Sequence, residues 1–152
     1  MTRYYEDLEI GDTFETGDYT VTKAEIISFA EQFDPQPFHV DEQAAQDSMF
    51  GELVASGMHT LCISTRLFIT EFVQGAEGLA NMGGLGMDDL RWHAPVFPDD
   101  TLYLTIEVLD KKPLESRSDG GRVDFRLRVF NSDGEVLSNS SYNVVRHRNT
   151  DA

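Results

Sequence analysis

An aspartate and a histidine stand five residues apart in segment 34–39 (DPQPFH), where two prolines restrict the backbone. Histidine titrates near neutral pH, and a desolvated carboxylate can have its pKa raised, so Asp34 and His39 could together hold and activate a water molecule. Most Asp/His pairs at such a distance are instead a capping aspartate and a solvated histidine. The prolines and the flanking Phe33 and Phe38 favour the catalytic interpretation, because rigid apolar walls suit a preorganised site.

A second candidate element, residues 54–59 (VASGMH), leads from a short loop into an apolar helix. Free N–H groups at a helix N-terminus stabilise negative charge on an oxygen, and Gly57 would let a carbonyl group approach without a Cβ in the way. Gly57 could equally be an ordinary residue at a helix start. Ser56 does not fit a hydrolase nucleophile, because the G-x-S-x-G turn would need glycine where Val54 stands.

Other side chains in or near these segments could also have chemical roles. His59, in the first turn of the predicted helix, is a further candidate for substrate contact, although acid–base chemistry needs only two groups. A metal site formed by Asp34, His39, Asp41 and His59 lacks the support of a histidine pair at i,i+4 spacing, so we expect no metal. The one cysteine, Cys62, cannot form an internal disulfide, and we expect it to be a buried helix residue.

The elements around the Asp/His segment follow from capping and turn signals. A short strand is predicted over residues 13–21, after the turn at Gly11. Thr22 with Glu25 three residues later forms a capping-box pattern, which predicts a helix that stops before Pro35. Because two prolines follow closely, residues 34–38 should form an ordered loop without helix.

Apolar periodicity defines the rest of the chain. Asp41 is expected to cap a short helix through Asp47, and a longer helix, buried on several sides, should run from Gly57 to about Val73. Alternating apolar residues, separated by turn signals, then predict three antiparallel strands over residues 101–108, 123–129 and 136–145. The fold class is therefore α+β, a single domain over residues 1–152 with an antiparallel sheet around one long central helix.

The charge of the chain restricts its partners and surroundings. Asp and Glu total 27 against 12 Lys and Arg, giving a formal net charge of −15. Such a surface repels phosphate backbones, so we expect no nucleic-acid partner, and the scattered acidic residues favour a halophilic origin over an ordinary acidic protein. No apolar run approaches the length of a membrane span and the first residues lack a signal-peptide core, which predicts a cytoplasmic protein without a membrane partner.

Three segments resemble one known family. Residues 34–39 and 55–60 (ASGMHT) look like the signature of MaoC-like dehydratases and R-specific enoyl-CoA hydratases. Residues 91–102 (RWHAPVFPDDTL) resemble the later strand and the P-V-x-P-G-D-T-L turn of that family. The likeness extends from about residue 10 to residue 145, and it implies a hot-dog fold in which subunits pair as a homodimer or a dimer-based oligomer.

The resemblance also implies an activity. The expected reaction is hydration of 2-enoyl-CoA to 3-hydroxyacyl-CoA, or the reverse dehydration, with the CoA thioester as substrate and no separate cofactor. By resemblance, Asp34 and His39 are the catalytic pair and the Gly57 amide is the oxyanion donor. Ser56 and His59 stand beside Gly57 as further candidates for oxyanion or substrate contact.

Two departures and two alternatives accompany this assignment. Gln36 stands where the best-known hydratases carry Asn, and Asp99 replaces the usual Gly of the turn, so the acyl-chain preference of those hydratases should not be transferred to this chain.

A hot-dog thioesterase would stabilise the thioester oxygen in the same way, but its catalytic carboxylate commonly lies on the buried helix. On that helix this chain offers only Glu71, near the far end. A non-catalytic acyl-CoA-binding subunit is the other alternative, and retention of both Asp34 and His39 argues against it.

Overall fold

Within residues 1–148, which the computed structural model describes, six strands form one antiparallel sheet. The strands are β1 (Thr13–Glu15), β2 (Tyr19–Thr20), β3 (Asn81–Trp92), β4 (Thr101–Pro113), β5 (Gly120–Asn131) and β6 (Gly134–Arg146). Their order is β1-β4-β5-β6-β3, and β2 pairs separately with β4. The three predicted strands of the second half are confirmed, whereas the predicted strand over residues 13–21 is divided into β1 and β2.

The core face of the sheet follows directly from the alternation in the sequence. On β4 and β5 every second side chain is buried, and Ile106 lies opposite Leu127 on that face. The inward set is almost fully inaccessible to solvent and comprises Leu102, Leu104, Ile106, Val108, Val123, Phe125, Leu127 and Val129. Period-two patterning with one buried face fixes the register of these strands, because a one-residue slip would expose the whole set.

Apart from its end at residues 91 and 92, where the resemblance implied a strand, β3 was not predicted, and its composition explains why. Gly83, Gly84 and Gly86 occur within four residues, and glycine weakens the strand signal. Three register shifts interrupt its pairing with β6. β3 is an edge of the sheet, with no strand partner on its other side among the described residues, and Leu85 and Met87 are exposed on it.

The described region has a 3-10 helix at Tyr5–Asp7 and four α-helices, all of which precede β3 in the chain. The α-helices are α1 (Lys23–Phe33), α2 (Pro37–Val40), α3 (Glu42–Gln46) and α4 (Gly57–Leu67). The capping box of α1 at Thr22 and Glu25 and the cap of α3 at Asp41 are both confirmed. The prediction of a helix-free segment 34–38 is wrong at its end, because Pro37 occupies the first turn of α2, where proline is tolerated.

Helix α4 is continued by a π-helical turn, Phe68–Val73, so the predicted end near Val73 is confirmed. Ile63 and Leu67 are buried, and Phe68 packs edge-on against Phe125 of the sheet. The opposite face of α4 is open, which contradicts the expectation of burial on several sides. Cys62 lies on that open face and is exposed, because the core-facing positions fall on the other side of the helix. None of the described helices is both long and apolar enough to span a membrane.

Candidate active site

Asp34 ends α1, and its carboxylate is held by two side-chain donors. The Ser56 hydroxyl donates to Oδ2 and the Gln36 amide donates to Oδ1, each at 2.7 Å. The Ser56 hydrogen bond is the main reason that the pKa of Asp34 lies below its ordinary value, with Gln36 and nearby His39 acting in the same direction against partial burial. The expectation of a raised pKa is therefore wrong, because hydrogen bonds to the charged form outweigh desolvation.

His39 is held in one orientation by a backbone carbonyl. It lies on α2 and is 5% exposed, and its Nδ1 is 2.7 Å from the carbonyl oxygen of Val54. A carbonyl oxygen only accepts, so Nδ1 carries the hydrogen and Nε2 of the neutral ring presents a lone pair. Nε2 lies 3.5 Å from Asp34 Oδ2. The structure thus brings together the two side chains that the sequence singled out.

The segment that carries Val54 is itself fixed on both sides. The Val54 N–H donates to the Phe38 carbonyl at 3.2 Å, and the Ala55 N–H donates to the Val96 carbonyl at 2.8 Å. Ser56 follows as the N-cap of α4, and its hydroxyl oxygen accepts from the Met58 N–H at 3.2 Å. One hydroxyl therefore both caps the helix and donates to the Asp34 carboxylate.

Gly57 begins α4 and contacts an indole ring. Its carbonyl accepts a hydrogen bond of 2.7 Å from Trp92 Nε1, and a Cβ built at Gly57 would lie 2.5 Å from Trp92 Cε2 and Nε1. Any larger residue at position 57 would require the Trp92 ring to move. Within the described part of the chain the Gly57 N–H has no hydrogen-bond acceptor, as expected for the first residue of a helix.

These groups meet at a cavity of about 300 Å³. Asp34, Gln36, His39 and Gly57 supply its polar wall, and Trp92 lies beside Gly57. The remaining wall is mainly apolar and includes Phe38, Phe50, Val54, Ala94, Pro95 and Val96. Apolar surroundings strengthen the interaction of a few polar groups with a bound molecule. The arrangement can therefore place a water molecule and a polarised carbonyl group in one small space.

Two of the predicted site residues do not line this cavity. Ser56 is fully buried and reaches it only through Asp34. His59 points elsewhere and stacks on Phe29 of α1, with ring centroids 4.7 Å apart. Burial lowers the pKa of His59, with Glu25 acting weakly in the opposite direction, so the ring is neutral at neutral pH. His59 Nδ1 is buried without a hydrogen-bond partner among the described residues.

Sequence reasoning missed two contributors to the site. Val54 acts through its carbonyl, which no side-chain pattern reveals. Trp92 lies within residues 91–102, which resemble the later strand of the family, but nothing in that segment signalled its contact with Gly57. Glu71, the candidate carboxylate of the thioesterase alternative, accepts from the Gly17 N–H at 3.0 Å and lines a different cavity.

Comparison with known proteins adds the family context. Residues 7–125 match the family described as MaoC like domain. The uncharacterized protein YdeM of Bacillus subtilis is 39% identical over 126 residues, which cover 83% of this chain and 86% of that protein.

Two solved structures are similar over nearly the whole chain. The MaoC-like dehydratase from Rhodospirillum rubrum is 40% identical, with a TM-score of 0.82 over 96% of this chain and 97% of that one. The R-hydratase PhaJ1 from Pseudomonas aeruginosa in the unliganded form is 27% identical, with a TM-score of 0.76 over 95% of this chain and 86% of that one. The predicted hot-dog fold is confirmed.

Proposed function

The chain belongs to the MaoC-like dehydratase family, and we propose that it adds water to 2-enoyl thioesters, or removes it from 3-hydroxyacyl thioesters. The observation that carries this proposal is the pair formed by Asp34 and His39. Asp34 Oδ2 and His39 Nε2 lie 3.5 Å apart at a cavity whose wall is otherwise mainly apolar. The similarity to an R-hydratase supports the same reaction class.

The pair suits a water molecule as its shared ligand. His39 Nδ1 carries the hydrogen that Val54 accepts, so both Nε2 and the Asp34 carboxylate are acceptors. A water molecule within reach of both atoms can donate one hydrogen to each, which directs its oxygen lone pair into the cavity. The β-carbon of a bound enoyl group would be attacked from this side.

The lowered pKa of Asp34 suggests how the two roles divide. A carboxylate stabilised by Ser56 and Gln36 is a weak base, so it serves mainly to orient the water and to stabilise a cationic imidazole. We assign proton transfer to His39: Nε2 takes the proton as the water oxygen bonds to the β-carbon, and then returns it to the α-carbon. Water adds across the double bond, so atoms and charge balance.

The Gly57 N–H would act on the carbonyl group of the thioester. Attack at the β-carbon moves negative charge to the thioester oxygen, and the Gly57 N–H at the start of α4 can donate to it with the favourable end of the helix dipole behind it. The donation strengthens as the charge develops, which lowers the barrier rather than merely binding the substrate.

The direct test is hydration of crotonyl-CoA, followed by loss of enoyl absorbance, with released thiol measured in parallel. We expect absorbance to fall without thiol release, and Asp34→Asn or His39→Ala to lower turnover by about 10²–10⁴-fold while the unfolding curve stays close to that of the wild type. Thiol release would instead identify a thioesterase, and near-wild-type turnover in either variant would remove that residue from the mechanism.

We also propose that the protein acts as a homodimer or a dimer-based oligomer. Edge strand β3 is long, and Leu85, Met87 and Trp92 on it are 56%, 44% and 49% exposed. A long exposed edge with apolar side chains favours pairing with another strand. Trp92 also lines the cavity, so a second subunit on this edge would lie beside the substrate. Light scattering that reports a monomer would contradict this proposal.

A further inference from the structure

Thr60, in the first turn of α4, is a polar residue of the Asp34 cavity that the proposed reaction does not yet use. It lines that cavity and is only 2% exposed. Its N–H donates to the Ser56 carbonyl at 3.1 Å as part of the helix. Its hydroxyl, by contrast, has no hydrogen-bond partner among the described residues. Unlike His59 Nδ1, this oxygen is not enclosed in the core, so a molecule in the cavity can reach it.

The free hydroxyl of Thr60 is an exception among the threonines of this helix. A threonine inside a helix commonly donates to the carbonyl four residues before it. Thr65 and Thr70, on α4 and its π-helical continuation, do so at 3.2 and 2.8 Å. The corresponding acceptor for Thr60 is the Ser56 carbonyl, and within residues 1–148 that side-chain bond is absent. The Thr60 hydroxyl is therefore left available to a bound molecule.

Packing alone does not account for a threonine at this position. A hydroxyl that is removed from bulk water and has no partner in the protein costs free energy on folding. Valine has nearly the same shape and avoids that cost, so stability by itself would favour valine at position 60. A polar side chain that is 2% exposed and unpartnered beside a cavity indicates that a ligand uses it.

The remaining hydrogen bonds of the cavity indicate which atom the Thr60 hydroxyl would bind. The other donor side chains that line it already donate within the protein: Gln36 to Asp34, His39 to the Val54 carbonyl and Trp92 to the Gly57 carbonyl. The attacking water does not need a donor, because a hydrogen bond to its oxygen would engage the lone pair that attacks the β-carbon. The thioester oxygen does, since it has two lone pairs and the Gly57 N–H would engage only one.

The place of Thr60 on α4 fits the same target. Thr60 lies three residues after Gly57, on the same side of the helix and about 4.5 Å along its axis. Helical side chains lean toward the helix N-terminus, which directs the Thr60 side chain toward the turn where the Gly57 N–H ends. From this placement, and resting on the hydratase function proposed above, we infer that the Thr60 hydroxyl touches the substrate as the second donor to the thioester oxygen.

Thr60→Val tests the inference, because it keeps the shape of the side chain and removes the hydroxyl. We expect kcat for crotonyl-CoA to fall by about 10²-fold and KM to stay within about three-fold, since the donor acts most strongly as charge develops on the oxygen. The melting temperature should equal or exceed that of the wild type, because no hydrogen bond within the protein is lost. Thr60→Ser keeps the hydroxyl and should retain most of the activity.

Thr70→Val is the matched control, because it removes a hydroxyl from the far end of the same helix, outside the cavity. Its kcat should equal that of the wild type. A wild-type kcat in Thr60→Val would overturn the inference. Loss of activity together with a lower melting temperature would overturn it as well, because that combination identifies a structural hydroxyl.

Infrared spectroscopy of a bound thioester separates this inference from the proposed reaction. Butyryl-CoA, labelled with carbon-13 at the thioester carbonyl, cannot be hydrated. We expect its carbonyl stretch to move to lower frequency on binding to the wild type, and part of this shift to be lost in Thr60→Val but kept in Thr70→Val. Equal shifts in the wild type and Thr60→Val, or no shift in the wild type, would overturn the inference. A wild type that shows the Thr60-dependent shift without hydrating crotonyl-CoA would refute the hydratase and support the donor.

Discussion

Substitution of Gly57 by alanine would place one methyl group between the helix start and the indole of Trp92. The new Cβ would lie 2.5 Å from Trp92 Cε2, whereas ordinary contacts begin near 3.4 Å, so the two groups must separate by about 1 Å (3.4 minus 2.5). That movement stretches the hydrogen bond from Trp92 Nε1 to the Gly57 carbonyl. It also displaces the Gly57 N–H from the position in which it meets a thioester oxygen.

The magnitudes predict that activity suffers more than stability. Alanine is favoured over glycine within a helix by about 1 kcal/mol, and the strained Trp92 hydrogen bond is worth about 0.5–1.5 kcal/mol, so the two effects nearly cancel. Loss of one oxyanion donor costs about 10²–10³-fold in turnover, or about 2.7–4 kcal/mol. We therefore expect Gly57→Ala to unfold near the wild-type temperature and to hydrate crotonyl-CoA at least 10²-fold more slowly.

The assay compares kcat/KM for crotonyl-CoA in the wild type, Gly57→Ala, Trp92→Ala and the double variant. If the overlap is the cause, removal of the indole gives the methyl group room, and Gly57→Ala should cost much less in the Trp92→Ala background. Turnover of Gly57→Ala within a few-fold of the wild type would refute the prediction that the methyl group displaces the Gly57 N–H. Equal costs in both backgrounds would refute the steric explanation.

Four further predictions follow from the site and the surface. Ser56→Ala removes the main cause of the lowered Asp34 pKa, so the pKa of the Asp34 carboxyl, followed by carbon-13 NMR of its side chain, should rise, whereas Ser56→Thr keeps the hydroxyl and should leave it unchanged. Burial lowers the pKa of His59, so below about pH 6.5 the imidazole takes up a proton in the unfolded chain more readily than in the folded one. The free energy of unfolding, measured by urea denaturation, should therefore fall less between pH 7.5 and pH 5.5 in His59→Phe than in the wild type. Equal falls in the two proteins would contradict this. Met87→Glu should convert the proposed homodimer to monomer in light scattering, while Ile10→Glu, on a still more exposed side chain outside β3, should not. The halophilic origin remains a prediction: with a net charge of −15, the unfolding free energy should rise between about 0.1 and 1 M KCl, and a flat response would contradict it.

The parts of the fold with strong local signals were predictable from sequence. The cap of α1 at Thr22 is a local pattern of two residues, and β4, β5 and β6 carry a period-two alternation that a buried face imposes. β3 lacks that signal because its glycines contribute no side-chain pattern, and its pairing with β6 supplies the stability instead. Tertiary pairing of this kind cannot be inferred from local propensity.

The candidate site was predictable to the level of residue type but not of environment. The two prolines and the spacing of Asp34 and His39 pointed to the pair, and the structure places them 3.5 Å apart. The direction of the Asp34 pKa was wrong, because the donor Ser56 lies 22 positions away in the chain. The burial of Cys62 was wrong as well, since helical periodicity alone does not say how much of a helix its neighbours cover.

The short run from Val54 to Gly57 has an evolutionary consequence. Within four positions it supplies the carbonyl that orients His39, the hydroxyl that holds Asp34 and the amide proposed for the thioester oxygen. Because a change in the backbone of this run would disturb all three functions together, we expect few substitutions to be tolerated there. Most of the apolar wall of the cavity, by contrast, belongs to other segments, so related proteins can diverge in the shape of the cavity while keeping the same polar groups.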